Sequence, residues 1–333
     1  MKAAYVEQTG PADSIRVGEL PRPEPKAGQV LVEVHAVAFN PIDLMARSGA
    51  APMALPFPYV VGSDFAGTVV ELGPGANRFQ VGDRVWGSNQ GLMGLQGAAS
   101  EFAAIDQDWA YPIPEGQAAV QAAAQALTGI TAHLGLFEHG RLRNGETLYV
   151  PGGSGGVGSM VVQMARAVGA RVATSAGSPE RVELCRALGA DLALNYKTDD
   201  LAARLPEFAP DGFDLWFETQ RDPNFEVAVP LLRKHGRIVV IAGRNARPVL
   251  PLGPFYTRNC SLVGFAMFNA SPAEQRQAAE DINRWTAAGQ LRSHIGRTFP
   301  LDAAAEAQAL LEANTMGGAG TLAGKVVVEI KPS

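Results

Sequence analysis

The chain has 333 residues, of which 47% are hydrophobic and 18% charged, and its formal net charge is −5. This composition excludes a disordered or collagen-like protein, and the length is sufficient for two domains. The acidic balance disfavours nucleic acid as a main partner. Two cysteines are too few for a disulfide framework or a four-cysteine zinc site.

The amino terminus lacks an apolar signal core, and no stretch of about 18 uncharged apolar residues occurs. We therefore expect a cytoplasmic protein with no membrane contact.

The first 110 residues have the pattern of strands and turns. Valine-rich or alternating runs lie at 29–40, 59–73 and 80–88, and Gly82–Asp83 is a turn signal within the last of them. Short strands of irregular spacing are typical of a partly open β-barrel.

From about residue 117 helical and strand patterns alternate. This β-α-β-α-β order predicts a parallel, doubly wound sheet, and the run at 258–269 is predicted as its last strand. Ser271 and Glu274 have capping-box spacing at the start of a following helix. A further helix at "LDAAAEAQALLEAN" and a closing strand at "GKVVVEI" complete the prediction.

The segment "SLVGFAMF" is too apolar and too β-prone to remain an exposed sheet edge. Pairing with a two-fold mate would satisfy its free backbone groups, so we expect a homodimer.

The stretch "GGSGGVG" (152–158) is the main functional motif. Gly153, Gly155 and Gly158 satisfy G-x-G-x-x-G, with a predicted strand before them and a predicted helix after them. Glycines let the backbone approach a pyrophosphate closely, and the helix amino terminus offers unpaired N–H groups and a positive dipole end. The motif predicts a dinucleotide site; the alternative is a strand-to-helix turn without a ligand.

The end of the next strand indicates which dinucleotide binds. An NAD enzyme usually has an acidic residue there for the ribose 2′-hydroxyl. This chain has Ser175, Gly177, Ser178 and Arg181 instead, and Glu180 is predicted to lie inside the following helix. Hydroxyls and a guanidinium favour a 2′-phosphate, so we predict NADPH. The alternative for Arg181 is a solvated helix face.

The ordered set of motifs resembles the zinc-independent medium-chain dehydrogenase/reductases, in the quinone oxidoreductase and zeta-crystallin branch. The segments that carry the resemblance run nearly end to end: "AFNPIDLMARSG", "GSDFAGTVVELG", "VGDRV", "GITAHLGL", "GGSGGVG", "ALGADLALNY", "GRIVVIAGR", "SLVGFAMF" and "GKVVV".

The resemblance implies a GroES-like catalytic domain at 1–118 and a Rossmann NADP(H)-binding domain at 119–262. Residues 263–333 would supply the last sheet strand and return to the catalytic domain. NADPH would lie in the cleft between the two domains.

The resemblance also implies the cofactor-binding residues. Those that match the family positions are Asn40, Thr131, Ser154, Gly155, Gly156, Val157, Gly177, Arg181, Tyr196, Ala242, Gly243, Arg244, Phe265, Ala266, Met267 and Lys325. Asn40 is also the candidate for positioning the reacting groups.

Besides Arg181, four of these residues have an alternative interpretation that involves no ligand. Asn40 would otherwise cap its own backbone, and Thr131 would pack within a helix. Tyr196 would be an ordinary packing residue and Lys325 a solvated charge.

Zinc-dependent relatives carry a cysteine ligand at the start of the segment that corresponds to "NPID", and a Gly-His-Glu motif further along the chain. Asn40 occupies the first place, and Ser63 and Asp64 occupy the second. The five histidines show no ligand spacing with cysteines or acids, so we expect no metal.

One departure concerns the acceptor pocket. Quinone-reducing relatives often carry N-P-x-[DE]-x-Y, whereas this chain has Met45 in the place of the tyrosine. A methionine can flank an apolar ring but has no proton to give.

The predicted function is NADPH-dependent reduction of quinones or related conjugated carbonyls by hydride transfer, without zinc. The alternatives are reduction of an enal, an enone or an enoyl thioester on the same fold, or an NADPH-binding structural or RNA-binding protein.

Overall fold

A computed structural model describes residues 1–331. The described chain contains sixteen strands. In order they are β1 (Lys2–Val6), β2 (Arg16–Glu19), β3 (Gln29–Phe39), β4 (Tyr59–Val60), β5 (Asp64–Leu72), β6 (Arg84–Gly87), β7 (Phe102–Asp106), β8 (Ala110–Pro112), β9 (Thr147–Pro151), β10 (Arg171–Ala176), β11 (Leu192–Asn195), β12 (Phe213–Glu218), β13 (Leu232–Val240), β14 (Ser261–Gly264), β15 (Ile295–Pro300) and β16 (Lys325–Glu329).

Nine α-helices accompany the strands within the same residues. They are α1 (Pro41–Ser48), α2 (Ala119–His133), α3 (Gly156–Ala167), α4 (Pro179–Ala187), α5 (Leu201–Phe208), α6 (Phe225–Ala228), α7 (Leu252–Thr257), α8 (Pro272–Ala287) and α9 (Ala304–Thr315). A π-helical turn at Leu134–His139 follows α2 directly.

The chain divides into two compact units. Unit 1 comprises residues 1–127, 275–283 and the chain from Arg292 onward, and unit 2 comprises residues 128–274 and 284–291.

Unit 2 is built on a six-stranded sheet with the order β11-β10-β9-β12-β13-β14, in which every pair is parallel. β9 and β12 are buried along their whole length, as expected of strands covered on both faces. The strand order reverses between β9 and β12, which is the arrangement of dinucleotide-binding folds. The predicted doubly wound sheet is confirmed.

Unit 1 contains a three-stranded sheet and a seven-stranded sheet centred on β3. β3 pairs antiparallel with β5, β7 and β16. Alternate valines of β3, such as Val30, Val32 and Val34, belong to the apolar core of this unit. Because β16 pairs with β3, the carboxyl-terminal segment returns to the unit in which the chain begins.

Two predicted strands are shorter than expected. The run at 59–73 is divided into β4 and β5 by Gly62, whose φ of +96° is incompatible with a continuous strand. The last sheet strand ends at Gly264, opposite the final residue of β13, and a 3₁₀ turn follows at Met267–Asn269.

The capping box of α8 is confirmed. The Ser271 backbone N–H donates to Glu274 Oε2 at 2.7 Å, and the Glu274 N–H donates to Ser271 Oγ at 3.3 Å. Within residues 1–331 no helix is long and apolar enough to span a membrane.

Candidate functional site

The carboxyl edge of the parallel sheet in unit 2 gathers most of the predicted cofactor residues. Chain segments leave this edge after β9, β10, β11, β13 and β14. Carboxyl ends of parallel strands meet at one edge, and ligands of such sheets bind there. The residues that follow these five strands are Ser154, Gly155, Gly156 and Val157, then Gly177, Ser178 and Arg181, then Tyr196, then Ala242, Gly243 and Arg244, and finally Phe265, Ala266 and Met267.

Residues 152–157 form a tight turn, which we call the phosphate loop. Gly152 has a φ of +73°, and the N–H groups of Gly152 and Gly153 donate to the Ser175 carbonyl at 2.9 and 3.2 Å. A Cβ on Gly153 would lie 2.2 Å from Thr174 Oγ1, and one on Gly158 would lie 2.2 Å from the Gly152 carbonyl oxygen. Only glycine permits this close packing at 153 and 158.

The phosphate loop leads directly into α3, for which Gly155 is the N-cap residue. N–H groups in the first turn of a helix have no intrahelical acceptor, and the positive end of the helix dipole lies there. Ser154, Gly155, Gly156 and Val157 therefore lie where a pyrophosphate binds in dinucleotide folds. The turn fits that group because its glycines place no side chain over these N–H groups.

Gly177 and Tyr196 lie together next to the phosphate loop. A Cβ on Gly177 would lie 2.5 Å from the Tyr196 hydroxyl oxygen, and the Tyr196 side chain is 55% exposed. Tyr196 is therefore not an ordinary core residue. Its ring is available beside the first turn of α4, which carries Arg181.

The two predicted serines have partners within unit 2. Ser175 is buried inside β10, and its Oγ shares a 2.8 Å hydrogen bond with the Tyr149 hydroxyl. Ser178 is the N-cap of α4, and its Oγ accepts from the Arg181 N–H at 3.4 Å. A hydrogen bond from Ser178 lowers the pKa of Glu180, which lies in the first turn of α4 as predicted. Of the groups predicted for a 2′-phosphate, only the Arg181 guanidinium offers a positive charge.

The remaining predicted residues of unit 2 are divided between the sheet edge and α2. Phe265 stacks on His139 with ring centroids 4.4 Å apart, and Met267 is buried. Gly243 has a φ of +90° in the loop after β13. Thr131 is buried in the last turn of α2.

Unit 1 holds the other predicted residues in a polar cluster composed of Asn40, Asp43, Ser63, Asp64, Ser88 and Lys325. Asn40 precedes α1, and its N–H donates to Asp43 Oδ2 at 2.7 Å. Its Nδ2 donates to Asp64 Oδ2 at 2.7 Å and to Ser63 Oγ at 3.1 Å. Lys325 Nζ donates to Asn40 Oδ1, so both ends of the amide are held.

Lys325 is 5% exposed, so it is not a solvated surface charge. Its ammonium also donates to the Phe39 carbonyl at 3.0 Å and lies 3.5 Å from Asp64. Asp64 accepts further from Ser88 Oγ at 2.7 Å and from the Leu127 N–H at 3.1 Å. Burial raises the pKa of Asp64 and lowers that of Lys325, and their mutual attraction opposes both shifts.

The polar cluster is the part of unit 1 that sequence reasoning missed. The comparison with zinc-dependent relatives relates Asn40 to Ser63 and Asp64, but nothing in the sequence pattern joins Lys325 to them across 285 positions. Met45 lies half-buried in α1, one turn after Asn40.

In the described residues, no group of three or more His, Cys, Asp or Glu side chains is arranged to hold a metal ion.

A parallel sheet whose strand order reverses beside a glycine-rich loop is typical of dinucleotide-binding proteins. Comparisons with known proteins agree: residues 26–115 match the alcohol dehydrogenase GroES-like domain, and residues 156–284 match the zinc-binding dehydrogenase family. The quinone oxidoreductase of Rattus norvegicus is 32% identical over 92% of this chain and 92% of that protein.

Two further proteins are similar. A mycobacterial structure solved as its NADPH complex has a TM-score of 0.84 and 27% identity, covering 99% of this chain and all of that one. A phthioceranic/hydroxyphthioceranic acid synthase of Mycobacterium tuberculosis is 32% identical over 91% of this chain and 14% of its own length. The chain belongs to the medium-chain dehydrogenase/reductase family, in its quinone oxidoreductase branch. It is an oxidoreductase that uses a nicotinamide dinucleotide.

We expect Asp43→Asn to flatten the pH dependence of unit 1 stability between about pH 4 and 7. Burial, reinforced by the neighbouring Asp64 charge, raises the pKa of Asp43 to about 7. The native state then holds a proton that the unfolded chain has released. The contribution of this proton to the free energy of unfolding is complete below the pKa of Asp43 in the unfolded chain. It is lost as the pH rises through the pKa of Asp43 in the folded protein, by at most ~1.4 kcal/mol per pH unit.

The measurement is the free energy of unfolding from denaturant titrations at several pH values. Asparagine keeps an oxygen acceptor for the Asn40 N–H, so the cap is retained. Wild-type and variant curves that run parallel across this range would contradict the protonation of Asp43.

Proposed function

We propose that the protein is an NADPH-dependent reductase of quinones or related conjugated carbonyls that works without zinc. The observation that carries the proposal is the carboxyl edge of unit 2, where the phosphate loop follows β9 and the first turn of α4, which carries Arg181, follows the neighbouring β10. No carboxylate ends β10, where an NAD enzyme usually has one. The similarity to quinone oxidoreductases supports the acceptor class.

The residues of unit 2 would hold the cofactor at three places. N–H groups of the phosphate loop would bind the pyrophosphate, and Gly177, Tyr196 and Arg181 would hold the adenosine and its 2′-phosphate. Segments 242–244 and 265–267 would offer backbone groups to the nicotinamide half. When bound, the nicotinamide supplies a hydride to an electron-poor acceptor.

In unit 1 the contribution of Asn40 would be positioning. Its amide is held by Asp64, Ser63 and Lys325, so its orientation is fixed before any ligand arrives. Met45 would offer an apolar contact to the acceptor. Because a methionine side chain has no proton to donate, water would supply the final proton. Asn40, Ser63 and Asp64 stand where zinc-dependent relatives carry the ligands of the metal that polarises an alcohol, so we favour carbonyl or alkene reduction over alcohol oxidation.

Reduction of an enal, an enone or an enoyl thioester is the second candidate. The observation that favours it is the match to part of a mycobacterial acid synthase. The two candidates differ in the acceptor and share the cofactor.

We expect NADPH oxidation with one member of an acceptor panel, and no dependence on zinc. The panel should contain benzoquinone, a long-chain enal, a cyclic enone and a crotonyl thioester, each followed at 340 nm. Elemental analysis should find no stoichiometric zinc, and a strong chelator should leave turnover intact. Cofactor binding without turnover of any acceptor would favour a binding or structural role, and activity restored by zinc would refute metal independence.

Arg181→Ala should weaken NADPH binding and leave NADH binding nearly unchanged. A charge-assisted hydrogen bond to a phosphate contributes about 1.5–3 kcal/mol, which is roughly 10- to 150-fold in Kd. Both dissociation constants should be measured by fluorescence titration for wild type and variant. A wild type that prefers NADH, or an equal loss for both cofactors, would refute the assignment of NADPH through Arg181.

We also propose a homodimer formed through the β14 edge of unit 2. Among the described residues β14 has a strand partner on one side only. Leu262 is 39% exposed, and α7, nearby in the chain, exposes Leu252 and Tyr256. An apolar edge strand of this kind is a template for pairing with a second copy.

Light scattering at micromolar concentration should give the mass of a dimer, and Leu262→Lys should shift it toward the monomer. Leu72→Lys is a matched control, because Leu72 is 37% exposed at the end of β5 in unit 1. A monomeric wild type would rule out the proposed dimer.

A further inference from the structure

We propose that Gln220 is a further cofactor-binding residue, whose carboxamide donates to the dinucleotide pyrophosphate from the β12 side of the phosphate loop. The inference rests on the dinucleotide cofactor. Its starting observation is the position of Gln220 Nε2, which lies 3.2 Å from the point where a Cβ on Gly152 would stand. Gly152 is the first residue of the phosphate loop, and the Gln220 residue is exposed.

The turn that carries Gln220 is fixed by a buried carboxylate. Glu218, the last residue of β12, is 2% exposed. Its Oε1 accepts from the Gln220 N–H at 2.7 Å, and its Oε2 accepts from Trp216 Nε1 at 3.1 Å. Because both carboxylate oxygens have donors, Glu218 acts as a positioning residue for the backbone of Gln220.

The same turn is attached to the strand that precedes the phosphate loop. Thr219 Oγ1 donates to the carbonyl of Pro151, the last residue of β9, at 2.6 Å. Gln220 Nε2 lies 3.4 Å from Thr219 Oγ1. An amide nitrogen carries two hydrogens, so one N–H remains for an acceptor beside Gly152.

The topology explains why a ligand group is expected at this position. β9 and β12 are the neighbours between which the strand order reverses, and the crevice outside their carboxyl ends is where such sheets bind ligands. A neutral carboxamide donates hydrogen bonds to a phosphate oxygen without a desolvated charge of its own. A carboxylate of the same shape would repel the pyrophosphate.

The test is the isosteric variant Gln220→Glu, measured by binding alone. We expect NADPH and NADH to be weakened equally, by roughly tenfold or more, because a hydrogen bond to a charged group is lost and repulsion is added. Binding of 2′-AMP, which has no pyrophosphate, should stay unchanged. Arg181→Ala should give the opposite pattern, with 2′-AMP and NADPH weakened and NADH unaffected.

Gln80→Glu is the matched control, since it adds the same charge at an exposed glutamine of unit 1 and should change none of the three affinities. Melting temperatures without cofactor should agree among wild type and both glutamate variants, which separates binding from folding. Unchanged NADPH and NADH affinities in Gln220→Glu, or an equal loss for 2′-AMP, would overturn the assignment. A wild type that binds neither dinucleotide would overturn the proposed function as well.

Discussion

The phosphate loop depends on how closely its backbone lies against β10. Thr174 Oγ1 donates to the Val150 carbonyl at 2.6 Å, so the Thr174 side chain is held in place and cannot move aside. A methyl group at position 153 would lie 2.2 Å from Thr174 Oγ1. The loop therefore has its observed path only while position 153 is glycine. The start of α3, and with it the direction of the first-turn N–H groups, follows from that path.

The polar cluster of unit 1 is almost completely buried. Two aspartic acid side chains and one lysine are buried together, and ionised groups are tolerated in such a place only when they are paired and hydrogen-bonded. Asp64 meets this requirement with donors from Asn40, Ser88, Leu127 and Lys325. Asp43 meets it by holding a proton, since burial raises its pKa to about 7. The cluster thus keeps the Asn40 amide in one orientation.

Local patterns were sufficient to predict the sheet of unit 2 and the strand, glycine turn and helix around residues 152–158. The strands of this sheet are short apolar runs bounded by turns, and the glycine motif lies between a strand and a helix, so each signal spans few residues. The division of 59–73 was missed because an apolar run gives no sign of the φ of +96° at Gly62. The cluster around Lys325 and the position of Gln220 beside Gly152 were missed because both bring together segments that are far apart in the sequence.

Strand pairing in unit 1 has a consequence for how the protein is made. β3 is complete in the nascent chain after residue 39, but its partner β16 begins at Lys325. At ribosomal rates the interval is on the order of tens of seconds, during which residues 36–39 of β3 lack their β16 partner and Asn40 has no ammonium beside it. Unit 2 lies almost wholly within that interval, so its sheet can form first. Completion of unit 1 therefore follows the synthesis of unit 2, and a ribosome that stalls before β16 leaves residues 36–39 of β3 unpaired on that side and capable of aggregation.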